Sequence, residues 1–329
     1  MSSRRPSLSS LGEFGLIDEL TRLSSPRSSR HVIHSIGDDA AVLRLHPDRD
    51  VVFTTDMLVE GVHFNRDWSG PQDIGWKALV ANLSDIAAMN AQPTSAVVAI
   101  GVPKNTPVAW IKDVYRGFRR ASARYGAPIV GGDTVRSPQG IVISIAMLGE
   151  VKRNHAMLRS GARPGDVIIV SGKLGSCAAA LAAVKNPGGV KNVRAPLFRK
   201  FHRPVPRFDI LERLRKSRVQ LTSMIDISDG LVSELHHLAT ASSVRCVIDP
   251  LLVPFSSALQ TYARRQKQSV IEWALHSGEE YELLMTCSPR HLRALWNIDD
   301  LTIIGTVVRG RGVVDLSGGE LIPRGFKHF

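Results

Sequence analysis

The chain has 329 residues, of which 43% are hydrophobic, and its formal net charge is +12. This length predicts about two domains with ordinary cores. No stretch reaches the roughly 18 apolar residues of a membrane helix, and the Ser/Arg-rich start lacks the apolar segment of a signal peptide. Residues 1–11 are expected to be a disordered extension. The scattered cysteines, Cys177, Cys246 and Cys287, indicate free thiols in a reducing, cytoplasmic location.

The basic charge is concentrated in two segments, residues 4–30 and 191–218. Basic proteins often bind nucleic acid. Neither segment interleaves aromatic residues, however, and no zinc-finger, helix-turn-helix or RNA-recognition signature is present. The charge therefore favours a basic surface that steers anionic substrates, while a non-catalytic nucleic-acid-binding protein stays open as the less favoured alternative.

Strand-like and helix-like segments alternate in the first half of the chain. Apolar residues recur at helical spacing through residues 73–89, and a second helix is expected over about 108–124. Asn90 and Gly126 are suited to the left-handed position that ends a helix. Runs rich in β-branched residues predict strands at 51–55, 96–102 and 141–148.

The second half repeats this alternation. It is expected to contain a strand at 167–170, an Ala-rich helix from Ser176 to the turn at Pro187, a strand at 224–227, a helix at 229–241 and a last strand pair within 307–316. Charged, Gly and Pro residues cluster at 151–164, which places a boundary there. The sequence thus predicts two α/β domains with mixed sheets, residues 12–150 and 151–329.

Aspartates follow strands or glycines at several separate places. These are Asp38 and Asp39 after Gly37, Asp56 after the strand at 51–55, Asp133 after Gly131-Gly132, and Asp226 and Asp229 around a strand-to-helix turn, while Asp85 shares a helix face with Asn82. Ligand sites in α/β sheets gather just beyond the carboxyl ends of strands. The pattern therefore predicts that these acids point to one region.

Each acid also has a local explanation, and these alternatives stay open. Asp38 and Asp39 fit a turn pair, and Gly131 to Asp133 fit a hairpin loop. Ser228 or Asp229 fits the cap of the following helix.

A cluster of acids has an electrostatic consequence. Two carboxylates about 4 Å apart repel each other by ~4 kcal/mol at an effective dielectric of about 20. Converging acids therefore require cations, and oxygen ligands without His or Cys favour Mg²⁺, Mn²⁺ or Ca²⁺ over zinc. Magnesium pairs readily with phosphate oxygens, which indicates a phosphorylated substrate. A P-loop and the protein-kinase motifs are absent from the sequence.

With these residues in view, the sequence resembles the thiamine-monophosphate kinases, a family in the aminoimidazole ribonucleotide synthetase superfamily. The resemblance runs from GEFGLI at 12–17 to GFKHF at 325–329. Between them lie, in order, SIGDDAAVL, TTDMLVEGVHF, NLSDIAAM, GGDTVRS, LRSGARPGD, HRPVPR, IDISDGL and SGEEYELL. Any one block is weak evidence, but the ordered series is specific.

The resemblance implies a two-domain fold and an activity. The N-terminal domain would carry the metal and ATP site and would join a second copy in a dimeric β-barrel. The C-terminal domain would contact substrate and phosphate. The implied enzyme is a Mg²⁺-dependent kinase of thiamine biosynthesis, a homodimer that converts thiamine monophosphate and ATP to thiamine diphosphate without binding membranes.

The resemblance also implies roles for individual residues. Magnesium ligands would be Asp39, Thr54, Thr55, Asp56, Asp85, Asp133, Asp226 and Asp229. ATP contacts would be Gly132, Asp133, Arg159, Ser228 and, as a weaker candidate, Tyr125. Thiamine contacts would be His63, Glu279 and Phe326. No side chain is expected to act as a general base, because a phosphate acceptor with a second pKa of about 6 arrives as an oxyanion.

The chain departs from the family pattern at three positions. Ser277 and Glu280 stand where the family has Gly and Asp, and Asn90 stands where Gly is usual. Another superfamily member, such as a selenophosphate or aminoimidazole ribonucleotide synthetase, remains the nearest alternative enzyme. The SGEEYELL and GFKHF blocks favour the thiamine kinase, and the intact aspartate set argues against a degenerate member that only binds nucleotide.

Overall fold

The chain folds around two six-stranded sheets. The structure is a computed structural model that describes residues 32–34, 38–185 and 194–325. The predicted extension at 1–11, Gly37, the turn at Pro187 and Phe326 lie outside these residues. None of the helices within them combines the length and apolar character needed to cross a bilayer. The cysteines Cys177, Cys246 and Cys287 are free and buried, as predicted.

The N-terminal sheet has the order β1-β2-β3-β6-β4-β5. Its strands are β1 (Val32–His34), β2 (Ala41–Leu43), β3 (Arg49–Val59), β4 (Gln92–Val102), β5 (Ile129–Arg136) and β6 (Val142–Lys152). Neighbouring strands pair antiparallel except β4 and β5, which are parallel. The predicted mixed sheet is therefore present, but antiparallel pairing dominates it.

Helices α1 (Pro71–Ala88) and α2 (Val108–Tyr125) pack with this sheet, and α1 buries Ile74, Leu79 and Leu83 in the N-terminal core. The two helices approach closely: a Cβ at Gly75 would lie 2.1 Å from the Val114 carbonyl oxygen. Asn90 (φ 56°) and Gly126 (φ 70°) take the left-handed conformation after them, as predicted.

The C-terminal sheet has the order β12-β9-β11-β7-β10-β8. Its strands are β7 (Val167–Ser171), β8 (Leu221–Ile227), β9 (Arg245–Ile248), β10 (Glu282–Cys287), β11 (Leu301–Val308) and β12 (Gly312–Asp315). Its helices are α3 (Ser176–Lys185), α4 (Arg194–His202), α5 (Phe208–Lys216), α6 (Leu231–Ser242), α7 (Ser257–Gln266), α8 (Val270–His276) and α9 (Leu292–Leu295), with 3₁₀ turns at Pro250–Leu252 and Pro289–His291.

Several predictions about strands were wrong. The segments within 307–316 do not form a strand pair, because β12 pairs parallel with β9. Gly131 to Asp133 lie inside β5 and not in a loop, and Asp56 lies inside β3 and not beyond its end. Asp226 lies near the carboxyl end of β8, inside the strand predicted at 224–227. The rule for carboxyl ends of parallel strands therefore does not explain this site, because β3 and β8, which carry Asp56 and Asp226, pair antiparallel with their neighbours.

Candidate functional site

The acids converge from both halves of the chain. Asp39 precedes β2, Asp85 lies near the end of α1, and Asp226 lies in β8. One carboxylate oxygen from each lies within 4.8 Å of the others. The side chains of Asp39 and Asp226 are buried, whereas Asp85 is half-buried.

Hydrogen bonds orient these carboxylates. The Thr54 hydroxyl on β3 donates to Asp85 Oδ2 at 2.5 Å, and the Ser84 hydroxyl donates to Asp226 Oδ2 at 2.6 Å. The Arg159 guanidinium donates to Asp39 Oδ1 at 2.8 Å. Asp39 Oδ2 is buried and has no hydrogen-bond partner among the described residues. The cluster therefore contains one buried carboxylate oxygen whose capacity to accept a hydrogen bond is not used.

The cluster strongly disfavours full ionisation. Burial raises the pKa of Asp39, and burial together with the neighbouring acids raises those of Asp85 and Asp226 well above their usual values. Burial raises the pKa of Asp56 to about 6, and the negative charges of Asp229 and Asp39 contribute to this rise by smaller amounts. All these donors are oxygens, and one of them lacks a partner, so the set suits a hard divalent cation.

A cavity of about 680 Å³ opens beside the acids. Asp56, Asp85, Asp226 and Asp229 line it together with apolar and aromatic side chains, among them Val62, Trp68, Leu181 and Phe201. The cavity therefore combines a site for charge with a surface for a ring system.

His63 and Glu279 also line this cavity. The Val59 N–H donates to His63 Nδ1 at 3.0 Å, which places the proton of the neutral ring on Nε2. Glu279 (φ 57°) and Tyr281 (φ 51°) hold left-handed conformations that are rare for residues with side chains. Such strain persists where surrounding contacts enforce it, as at binding sites.

The structure brings most of the predicted site residues together. Those that line the cavity are Thr55, Asp56, His63, Asp85, Asp226, Ser228, Asp229 and Glu279. Asp39 belongs to the acid cluster, Thr54 bonds to Asp85, and Arg159 bonds to Asp39.

Three predicted residues among those the structure describes neither line the cavity nor bond to the acid cluster. Asp133 is exposed on the edge strand β5, and its Oδ1 accepts the Thr134 N–H at 2.8 Å. Gly132 has a structural reason to be glycine, since a Cβ there would lie 1.9 Å from the Val98 carbonyl oxygen. Tyr125 packs its ring near Trp76 and Phe208.

The alternative that Ser228 or Asp229 caps the following helix is wrong. Helix α6 has Gly230 at its N-cap and no side-chain cap, so neither Ser228 nor Asp229 caps it. The Asp229 N–H donates instead to Glu234 at 3.0 Å. The predicted ATP-contact residue Arg159 lies at the acid cluster, where its side chain is 20% exposed and pairs with Asp39.

The two family departures beside the cavity form one bonded pair. The Ser277 hydroxyl donates to Glu280 Oε1 at 2.6 Å, and the same oxygen accepts the N–H groups of Gly175 and Cys177 at the start of α3. The buried Glu280 carboxylate also pairs with Lys200 at 2.8 Å. Both substitutions are thus accommodated by these buried contacts with α3 and α4.

Sequence reasoning missed Lys77, Trp68 and Phe201. A signal for Lys77 was available, because Lys77, Ala81 and Asp85 are spaced by four residues and share a helix face. The aromatic residues carried no such signal, since only tertiary structure brings them to one cavity.

Comparisons with known proteins agree with this geometry. The family described as AIR synthase related protein matches with its N-terminal domain over residues 37–151 and its C-terminal domain over residues 163–316. A thiamine-monophosphate kinase of Aquifex aeolicus is 36% identical, covering 98% of this chain and 99% of its own. One from Mycobacterium tuberculosis is 37% identical, covering 97% and 92%.

A solved structure matches over almost the whole chain. It is described as AaThiL complexed with AMPPCP and TMP, and it has a TM-score of 0.89 and 35% identity. The match covers 99% of this chain and 100% of that one.

The acid cluster predicts how Asp85→Asn changes stability. A cation that binds the folded cluster and not the unfolded chain raises the melting temperature, and we expect Mg²⁺ to do so for the natural protein. Asn still accepts the Thr54 hydrogen bond but removes one charge, so metal-free Asp85→Asn should melt at the same temperature or higher and gain less from Mg²⁺. Differential scanning calorimetry with and without millimolar Mg²⁺ measures both. A variant that melts lower and keeps the full gain would contradict the cluster.

Lys200 should contribute more to stability than a surface lysine with a similar ion-pair distance. Lys200→Met leaves buried Glu280 without its cation and should lower the free energy of unfolding by about 3–5 kcal/mol. Lys216 pairs with Glu212 at 2.6 Å in solvent, so Lys216→Met should change stability little. Urea titrations compare the two midpoints, and equal midpoints would refute the difference.

Proposed function

The chain belongs to the AIR synthase-related family and, within it, to the thiamine-monophosphate kinases, and we propose that it transfers the γ-phosphate of ATP to thiamine monophosphate. The observation that carries this function is the convergence of Asp39, Asp85 and Asp226 beside a cavity large enough for a ring system. An acid cluster of this kind needs cations, and two phosphorylated substrates bring further negative charge.

We propose that the cations are Mg²⁺. Among the residues that the structure describes, no Lys or Arg lines the cavity, and the two cations beside it are already paired, Arg159 with Asp39 and Lys77 with Glu279. They cannot by themselves neutralise two phosphorylated substrates as well as the acids. When bound, Mg²⁺ would neutralise phosphate charge and align the two substrates.

The individual assignments follow from the site and the family resemblance. Asp39, Asp56, Asp85, Asp226 and Asp229 are proposed to hold the metal, with Thr54 and Thr55 beside them. Arg159 and Ser228 are proposed to contact ATP, and His63 and Glu279 the thiamine moiety. Gly132, Asp133 and Tyr125, which lie away from the cavity lining, stay predictions, as does Phe326.

The chain's own residues bind and orient the substrates and need not remove a proton. The acceptor phosphate has a second pKa of about 6 and presents an oxyanion at neutral pH. His63 accepts a backbone N–H at Nδ1, so it is set to donate a hydrogen bond from Nε2. Direct in-line transfer without a phosphorylated enzyme intermediate is the mechanism proposed.

The decisive assay measures thiamine diphosphate formed from thiamine monophosphate and ATP, with and without Mg²⁺. Turnover should require Mg²⁺. Asp85→Asn should lower kcat/KM by roughly 100- to 1,000-fold, because it removes charge stabilisation used in the transition state. Asp299→Asn, an exposed aspartate far along the chain, is the matched control and should leave the rate unchanged.

Two outcomes would redirect the proposal. Turnover with selenide or an aminoimidazole ribonucleotide precursor, and none with thiamine monophosphate, would assign another acceptor. A phosphohistidine or phosphoaspartate found after incubation with ATP alone would replace direct transfer by a two-step reaction.

We further propose that the chain forms a homodimer through the outer face of the N-terminal sheet. Apolar side chains are exposed on this face along four adjacent strands. They are Phe53 and Met57 on β3, Leu148 on β6, Val97 on β4 and Val135 on β5. Phe53 and Leu148 are direct cross-strand partners, so the patch is continuous. Contiguous apolar surface on a sheet marks an interaction surface, and a shared β-barrel would cover it.

Phe53→Lys should weaken this dimer by roughly 100-fold or more, since it places an unpaired charge in an apolar interface. Size-exclusion chromatography with light scattering measures the mass against the 36.0 kDa of one chain. Trp296→Lys, at a side chain 77% exposed in the other half of the molecule, is the control. A natural protein that runs as a monomer would end the dimer proposal.

A further inference from the structure

Lys77 is a buried lysine that lies behind the cavity lining, on the face of α1 that also carries Asp85. Its side chain is 6% exposed. Its Nζ lies 2.5 Å from Glu279 Oε2 and donates to the His63 carbonyl oxygen at 3.3 Å. The same ammonium lies 5.1 Å from the ring centre of Phe201. One side chain thus contacts three segments that are distant in sequence.

These contacts account for the ammonium group. A buried charge is tolerated where it is paired and hydrogen-bonded, and the aromatic face adds a favourable electrostatic contact. Two of its three N–H donors are directed to Glu279 and His63. Lys77 is therefore committed to protein groups, which argues against a direct role in binding phosphate.

Glu279 is held from three directions. Its backbone N–H donates to the Ser228 carbonyl oxygen at 2.6 Å, and its own carbonyl oxygen accepts the Cys177 thiol at 3.2 Å. These bonds fix a left-handed residue (φ 57°) but leave the side chain free to rotate. The contact with Lys77 supplies the missing constraint, because it fixes Oε2 of a residue that lines the cavity.

We propose that Lys77 is a positioning residue for the acceptor, a role that rests on the proposed kinase function. It links α1 to the turn at residues 61–63, called the His63 turn, and to the strained segment at 278–281. These segments form two walls of the cavity, and Lys77 keeps the distance between them fixed. Glu279 Oε1 is then preorganised to accept a hydrogen bond from the ring system of the acceptor. Preorganisation of this kind improves binding by reducing the entropy lost when the ligand is bound.

Steady-state kinetics of Lys77→Met, Glu279→Gln and the double variant test this role. Met keeps the apolar stem and the contact with Phe201 but removes the charge. Each single variant should raise KM for thiamine monophosphate at least ten-fold, with KM for ATP within two-fold of the natural value. The double variant should be no worse than the worse single variant, because both changes remove one interaction. Lys77→Arg should recover part of the loss.

Lys112→Met, an exposed lysine on α2, is the control and should leave all constants unchanged. A rise in KM for ATP, or a lower kcat at unchanged KM for the acceptor, would overturn the proposal and assign Lys77 to the phosphates. Additive single effects would also overturn it. Glu279→Gln retains Lys77 and keeps the test informative if Lys77→Met fails to fold.

Hydrogen exchange separates failure of this inference from failure of the proposed function. In the substrate-free protein, Glu279→Gln should increase amide exchange at 278–281 and at the His63 turn, whereas Lys112→Met should not. This readout requires no turnover, so it is decisive even if thiamine monophosphate is not the acceptor. Unchanged exchange in both segments would show that the ion pair positions neither wall.

Discussion

Mutual repulsion among buried carboxylates is the constraint on which the rest of the site depends. Asp39, Asp85 and Asp226 lie close enough that they strongly disfavour joint ionisation. Folding must supply the energy that holds them there, and it does so through well-packed neighbours: α1 is fixed against α2 by backbone contact at Gly75. The cluster is thus a charged assembly maintained by an apolar framework, which is the expected arrangement for a site that gains stability when a cation and an anionic substrate enter.

The ion pairs around the cavity have two roles. One kind offsets the charge of the acid cluster, and the other kind holds side chains of the cavity in position. Arg159 offsets part of the charge of Asp39. Lys200 and Lys77 lie outside the acid cluster and anchor Glu280 and Glu279, two adjacent acids of the strained segment. These two neighbouring residues therefore have different roles. The Glu280 carboxylate is fully buried against the start of α3, whereas Glu279 lines the cavity.

Local chemistry explains which features the sequence could predict. Asn90 and Gly126 end helices through their own backbone preferences, and the period of apolar residues in α1 needs no tertiary information. The assembly of the aspartates followed from their pattern, although the reason given for it was wrong, since Asp56 lies in the middle of β3 and both β3 and β8 pair antiparallel with their neighbours. Pairing of β12 with β9, and the short strands β1, β2 and β9, depend on non-local contacts. The same limit applies to Trp68 and Phe201, which only the folded chain brings to the cavity.

The acid cluster is shared between the two sheets' domains, and this links charge to shape. Asp39, Asp56 and Asp85 come from one side, and Asp226 and Asp229 from the other. Moving the halves apart disperses the charges, while drawing them together concentrates them. A cation that neutralises the acids would therefore also stabilise the packing of the two halves against each other, and that packing would strengthen the binding of the cation by the same free energy.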